Sequence, residues 1–228
     1  MNSLHQAVSF VLDFEGLNMN MHDRVTRKAD LLNNIGFSVW DVHGAQQSEN
    51  AYQAFYDFIS EVKPSRILEI GTAQGGFTMF LRTITTELGL SATEIRSYDI
   101  YSQSWFPDMI LAGIDIRIEN IFDDTFAPNA EVVDFINRDG ITVVLCDGGF
   151  KIKEFNSFAK HIKRGDFILA HDYAETKEIF DSTIMGKVWN WCEIVEADII
   201  EASIANGLTS YRSAEFANAV WVCKEKTK

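Results

Sequence analysis

The segment Ile67-Leu68-Glu69-Ile70-Gly71-Thr72-Ala73-Gln74-Gly75-Gly76 constrains the fold more than any other part of this chain. An apolar run carries an acid, turns through glycines, and passes at once into an amphipathic stretch from Phe77 to Leu90. That pattern predicts a strand, a tight loop and a helix. Glycine has no Cβ, so such a loop lets the backbone approach a ligand closely. The helix N-terminus behind it offers unpaired N–H groups. The acid is the discriminating part: the Glu69 carboxylate repels a pyrophosphate and suits a ligand with an ammonium group or hydroxyls.

Strands and helices alternate beyond this unit. Strands are predicted at Arg66–Ile70, Glu94–Ile100, Asp115–Glu119, Ile141–Asp147 and Phe167–His171, with helices at Phe77–Leu88, Trp105–Leu111, Glu131–Asn137 and Ile152–Ile162. Such alternation implies a parallel sheet covered on both faces. The near-continuous apolar run Ile141-Thr142-Val143-Val144-Leu145-Cys146 reads as a central strand. Gly140 and Gly165 fall where helices should end. After Trp191 the rhythm changes, and Glu193–Ala202 and Ala219–Lys224 read as an antiparallel pair with no helix between them, closing one edge. Ahead of the first strand the pattern is helical: Ser3 to Phe14, Asp23 to Asn33, and a helix capped near Ser48 that Pro64 terminates. Residues 1–62 are therefore expected to form a helical lid or oligomer contact, and residues 63–228 the ligand-binding domain.

Acids outnumber Lys and Arg by 33 to 20, a formal charge of −13, and that field disfavours a nucleic-acid partner. Cys146, Cys192 and Cys223 are isolated and odd in number, as expected of reduced core residues. The N-terminal stretch lacks the basic flank of a secretory signal, and no uncharged apolar run reaches the roughly 18 residues of a membrane span. A cytoplasmic protein with a small-molecule ligand and no membrane partner is expected.

In open α/β sheets ligands bind beyond the carboxyl ends of the strands. The predicted strand ends deliver Glu69 with the glycine loop, Asp99, Glu119-Asn120-Ile121, Asp147-Gly148-Gly149 and His171-Asp172-Tyr173. Five polar ends on one rim point to a site. An acid in the position of Asp99 accepts hydrogen bonds from a ribose in several nucleotide-binding families. Asp147 and Asp172 should end neighbouring strands, with His171 between them. Two carboxylates so placed suit a hard divalent cation. The plainer alternatives are that Asp147 binds the loop N–H groups at Gly148–Gly149, and that Asp172 caps a helix from Ala174.

The loop Glu69-Ile70-Gly71-Thr72-Ala73-Gln74-Gly75 resembles the acid-x-Gly-x-x-x-Gly loop of class I S-adenosylmethionine-dependent methyltransferases, with Ala73 replacing a frequent glycine. Lys63-Pro64 before the first strand, the Gly-Thr-x-x-Gly-Gly form and the acids ending strands four and five make it most similar to the cephalosporin hydroxylase-like and macrocin-type O-methyltransferase groups. The resemblance implies an α/β fold: a Rossmann-like, seven-stranded, mostly parallel, doubly wound sheet with an antiparallel edge pair. It implies S-adenosylmethionine as cofactor. Glu69, Gly71, Thr72, Gln74 and Gly75 would lie at the methionine end, with Asp147 beside them. Asp99 would hold the ribose, and Ile100, Asn120 and Ile121 would border the adenine. Related metal-dependent enzymes hold Mg²⁺ on acids at the ends of strands four and five, which makes Asp147, His171 and Asp172 the candidate metal ligands and catalytic residues.

His171 departs from the acid of that pattern. An imidazole ligand shifts preference towards Mn²⁺, Fe²⁺ or Zn²⁺; alternatively His171 is the base that deprotonates a hydroxyl acceptor, ahead of Lys151, while His43 and His161 are bystanders. The aromatic stretches Tyr101–Pro107 and Trp40–Gly44 either shape an acceptor pocket or cover the sheet. Two other readings remain open: a protein of this fold that does not methylate or that hydroxylates, and a nicotinamide-dependent oxidoreductase, whose Gly-x-Gly-x-x-Gly fingerprint Ala73 breaks.

Overall fold

A computed structural model describes residues 42–104 and 106–228. The helices expected at Ser3–Phe14 and Asp23–Asn33, and the positions of Trp40 and Trp105, lie outside the described residues.

Five parallel strands, β1 (Arg66–Ile70), β2 (Glu94–Asp99), β3 (Asp115–Ile118), β4 (Thr142–Cys146) and β5 (Phe167–His171), occupy the predicted positions to within a residue or two. They join β8 (Leu208–Ser210) and β9 (Trp221–Lys226) in one sheet of order β3-β2-β1-β4-β5-β9-β8. A two-stranded ribbon, β6 (Tyr173–Ala174) with β7 (Ile194–Val195), stands apart from it. Every residue of β1, β4 and β5 is buried, as parallel strands covered on both faces require. The registers pair Ile70 with Tyr98 and Cys146, and Cys146 with Ala170. The residues that follow these strands therefore emerge side by side on one rim.

Alternation along the strands feeds two cores. Ile67, Val143, Leu145, Leu169 and Trp221 face one layer, made by α1 (Glu49–Val62), α2 (Gly76–Glu87) and α3 (Phe106–Leu111). Leu68, Ile70, Val144, Ile168 and Ala170 face the other, covered by α4 (Ala130–Asn137), α5 (Lys151–Phe158) and α6 (Glu196–Ala205). Helix α1 buries Ala51, Tyr52, Ala54, Phe55, Phe58 and Ile59. The Phe55 ring meets Phe58, Phe77, Phe216 and Trp221 edge-on. Ser48 precedes α1 as expected, but its hydroxyl makes no cap bond and donates instead to the Ala219 carbonyl at 3.0 Å. The helix ends in left-handed Lys63, just before Pro64.

The C-terminal expectation needs correction. Only Ile194–Val195 of the predicted strand Glu193–Ala202 is extended, and Glu196–Ala205 is helix. The isoleucines suggested a strand, but the Asp198 carboxylate accepts from the Val195 N–H at 2.9 Å and starts a helical turn. The antiparallel pair that closes the edge is β8 with β9, and α7 (Ser213–Asn218) lies between them. Among the described residues no helix is long and apolar enough to cross a membrane.

Candidate functional site

The β1–α2 loop is folded by its own backbone and by its neighbours. Gly71 and Thr72 donate to the Tyr98 carbonyl at 2.8 and 3.3 Å, and Gly75 donates back to Thr72 at 2.7 Å. Gly71 has φ +93°, and a Cβ there would collide with the Asp147 carbonyl oxygen. Its glycine is thus demanded by the end of β4. A side chain on Gly75 would strike the Met109 thioether. Neither Gly75 nor Gln74 is among the cavity-lining residues described below.

Glu69 shares the strand face of Ile67 and points beneath α2, not into the open rim. It is 1% exposed and accepts from the hydroxyls of Thr78 and Ser97. Ser97 in turn meets the Thr72 hydroxyl at 2.6 Å. Burial pushes the Glu69 carboxyl up to about 7, against the lowering effect of those two hydroxyls. The residue expected to touch a ligand thus supports the loop from below and lines neither cavity.

Two cavities open on the rim. One, about 440 Å³, is bordered by Asp99, Ile100, Asn120, Ile121, Phe126 and Phe150. The Asp99 carboxylate accepts from the Ala73 N–H at 2.7 Å and the Tyr101 N–H at 2.9 Å, which ties the loop to the end of β2. Phe122 and Phe126 stack with ring centroids 4.2 Å apart, and Phe150 meets Phe126 edge-on. The N–H groups of Gly148 and Phe150 go to Glu154, not to Asp147, so the plainer alternative for Asp147 does not hold. Burial raises Glu154 to about 7, although those two N–H bonds pull it down.

The other cavity, about 510 Å³, adjoins the first, and both are lined by Gly71, Ala73 and Asp147. It brings together Asp147, His171 and Asp172, whose ligand atoms lie within 4.8 Å of one another. The His171 Nδ1–H donates to Asp147 Oδ1 at 3.0 Å, a tautomer assigned from its carboxylate partner. Its Nε2 is buried with no partner among the described residues. The imidazole stacks on Trp221, 4.8 Å between centroids, because β9 pairs Trp221 with His171 across the sheet. Asp172 has φ +56° and does not cap a helix. That role falls to Thr176, ahead of Lys177. The Asp172 carboxylate instead accepts from Trp189 Nε1 at 2.5 Å and pairs with Lys151 Nζ at 2.9 Å.

Several members of this cluster were not legible in the sequence. Lys151 stood there only as a secondary base. Its side chain is 7% exposed, and its ammonium touches Asp172, Glu193 Oε2 and the Gly148 carbonyl, the last two at 3.0 Å. Burial pulls its pKa down, but the Asp147 and Asp172 charges outweigh burial and hold it above the ordinary lysine value. It stays an ammonium and is a poor base. Gln47 bridges the cluster to the edge strand, donating to Asp147 Oδ2 at 3.0 Å and accepting from Trp221 Nε1 at 2.8 Å. Trp189, Trp191 and Glu193 wall the same cavity. None of these had a local signal beyond residue type.

No protein-family model matches the chain, and no curated protein matches it in sequence. Solved structures match it in fold. CmcI in its apo form is 13% identical over 79% of this chain and 72% of that one, with a TM-score of 0.56. CmcI with Mg-SAM is 14% identical over 78% and 71%, with a TM-score of 0.51. An O-methyltransferase family protein from Burkholderia thailandensis is 12% identical over 98% and 68%, with a TM-score of 0.52. The chain has the fold of class I S-adenosylmethionine-dependent methyltransferases.

Proposed function

We propose that the chain is an S-adenosylmethionine-dependent methyltransferase acting on a hydroxyl of a small molecule such as a sugar, a phenol or another natural product. One observation carries this reading. The cavity beside Asp99 and the cavity beside Asp147, His171 and Asp172 meet at Gly71, Ala73 and Asp147. A donor with its nucleoside on Asp99 and between Ile100 and Ile121 would run its methionine end across the Gly71–Ala73 loop. Its sulfonium would then face the second cavity, among carboxylates that suit its charge. The Trp189 and Trp191 walls suit the apolar face of an acceptor ring.

In the transfer the acceptor oxygen bonds to the methyl carbon as the carbon–sulfur bond breaks, and that bond's electron pair stays on sulfur as a neutral thioether. The His171 imidazole is the candidate base: Asp147 holds the ring by Nδ1 and favours the imidazolium, and Nε2, buried and without a partner among the described residues, would take the acceptor proton once the acceptor displaces the side chains that cover it. Closure of the donor and acceptor in one line supplies much of the rate.

A divalent cation at Asp147, His171 and Asp172 fits the donor chemistry, since two carboxylates and an imidazole are ordinary ligands. It does not fit the arrangement, because the Lys151 ammonium already lies within 2.9 Å of Asp172 and 3.7 Å of Asp147.

Calorimetry with S-adenosylmethionine and S-adenosylhomocysteine tests the reading. Both should bind, and nicotinamide dinucleotides should not. Asp99→Ala should weaken binding about ten- to a hundredfold, the equivalent of about 1.5–3 kcal/mol for hydrogen bonds to a charged group. Absence of heat with both nucleosides would overturn the proposal.

A further inference from the structure

We propose that the ammonium of Lys151 is the resident cation of the Asp147–Asp172 cluster and stands in for a divalent metal, so that the site works without one. The role in catalysis rests on the methyl-transfer reading above; the assignment of the cation does not.

The ammonium has three protons and three close acceptors: Asp172 Oδ2 at 2.9 Å, and Glu193 Oε2 and the Gly148 carbonyl at 3.0 Å. Asp147 Oδ1 lies a little farther, at 3.7 Å. All four oxygens of the two aspartates are met by protein donors. His171 Nδ1 and Gln47 Nε2 take those of Asp147, and Trp189 Nε1 and Lys151 Nζ take those of Asp172. A metal ion among the same atoms would sit a few ångströms from the ammonium, in a pocket where Asp172, His171 and Lys151 are all buried. Like charges so close repel strongly away from bulk water.

The lysine is also held in place. It is the first residue of α5, delivered by the same turn that carries Asp147, so backbone geometry fixes carboxylate and ammonium together. Its departure would leave three carboxylates facing one another, and breaking such a buried pairing is costly. In methyl transfer the ammonium favours negative charge building on the acceptor oxygen as its proton leaves for His171, the service a bound cation would give.

The test is a titration of Mn²⁺, followed by electron paramagnetic resonance, on chelator-dialysed wild-type protein and on Lys151→Met. Wild type should show no saturable binding up to about 1 mM, weaker than ordinary protein sites for divalent ions. Lys151→Met should bind at least about tenfold more tightly, because its carboxylates are left without their cation. Saturable micromolar binding by wild type, or an unchanged affinity in folded Lys151→Met, would overturn the proposal. Should the variant not fold, the wild-type titration decides alone. S-adenosylhomocysteine calorimetry on the same wild-type sample separates the two ideas: without heat the methyl-transfer reading fails, while the resonance result still decides what cation the cluster holds.

Discussion

Glu69 shows how one residue can be legible in kind and misplaced in role. Its position between apolar neighbours at the end of β1 marked it as special. The two-residue period of the strand then turned it under α2, where Ser97 and Thr78 satisfy it. A pH dependence follows. The folded-state value of about 7 exceeds the ordinary carboxyl value of 4.5, so the folded chain binds this proton more tightly than the unfolded one. Its contribution is present at low pH and is lost as pH rises from about 4.5 through about 7, by on the order of 3 kcal/mol. Glu154 acts in the same sense. Glu69→Gln should therefore narrow the difference in melting temperature between about pH 5 and about pH 8. An unchanged difference would refute the assignment. Asp147, His171 and Asp172 were readable because strand ends are readable. Gln47, Trp189 and Glu193 were not, and Lys151 was legible only as a secondary base, because the contacts that tie each of them to Asp147 or Asp172 cross between loops, and no periodicity encodes which loop folds over which.

Among the elements, the buried parallel strands were the most legible. β1 and β5 lie where the sequence places them, since a strand covered on both faces must be apolar throughout and bounded by turn residues. Helix α6 was the least legible. Ile199 and Ile200 carry β-branched side chains that favour strands, and the decisive feature is a local hydrogen bond from Val195 to Asp198. Asp198→Ala should cost about 1 kcal/mol in chemical denaturation, the usual loss for a missing helix cap, and leave nucleoside binding untouched. A loss below measurement would mean that packing of Ile199 alone sets the helix. The edge pair was foreseen in kind but displaced in sequence, because α7 interrupts a stretch whose apolar content reads equally well as strand.

At the scale of the whole molecule, the sheet order and the aligned registers turn scattered strand ends into a single working rim. That much followed from alternation alone. The charge of −13 also acts at this scale. Duplex DNA should not be retarded by the chain in gels at physiological salt, and a shift would contradict the expectation that nucleic acid is no partner.

Two indoles contact the His171 ring, Trp221 by stacking and Trp189 at a tilt, and Trp191 meets Trp189 edge-on across the same hollow. Two of the five tryptophans in the chain, Trp189 and Trp191, thus line the cavity, and a third, Trp221, backs the His171 ring from the core. The protein carries its own optical probe: whatever enters there alters the polarity around those rings, so filling of the acceptor side can be followed by intrinsic emission, without label or coupled assay.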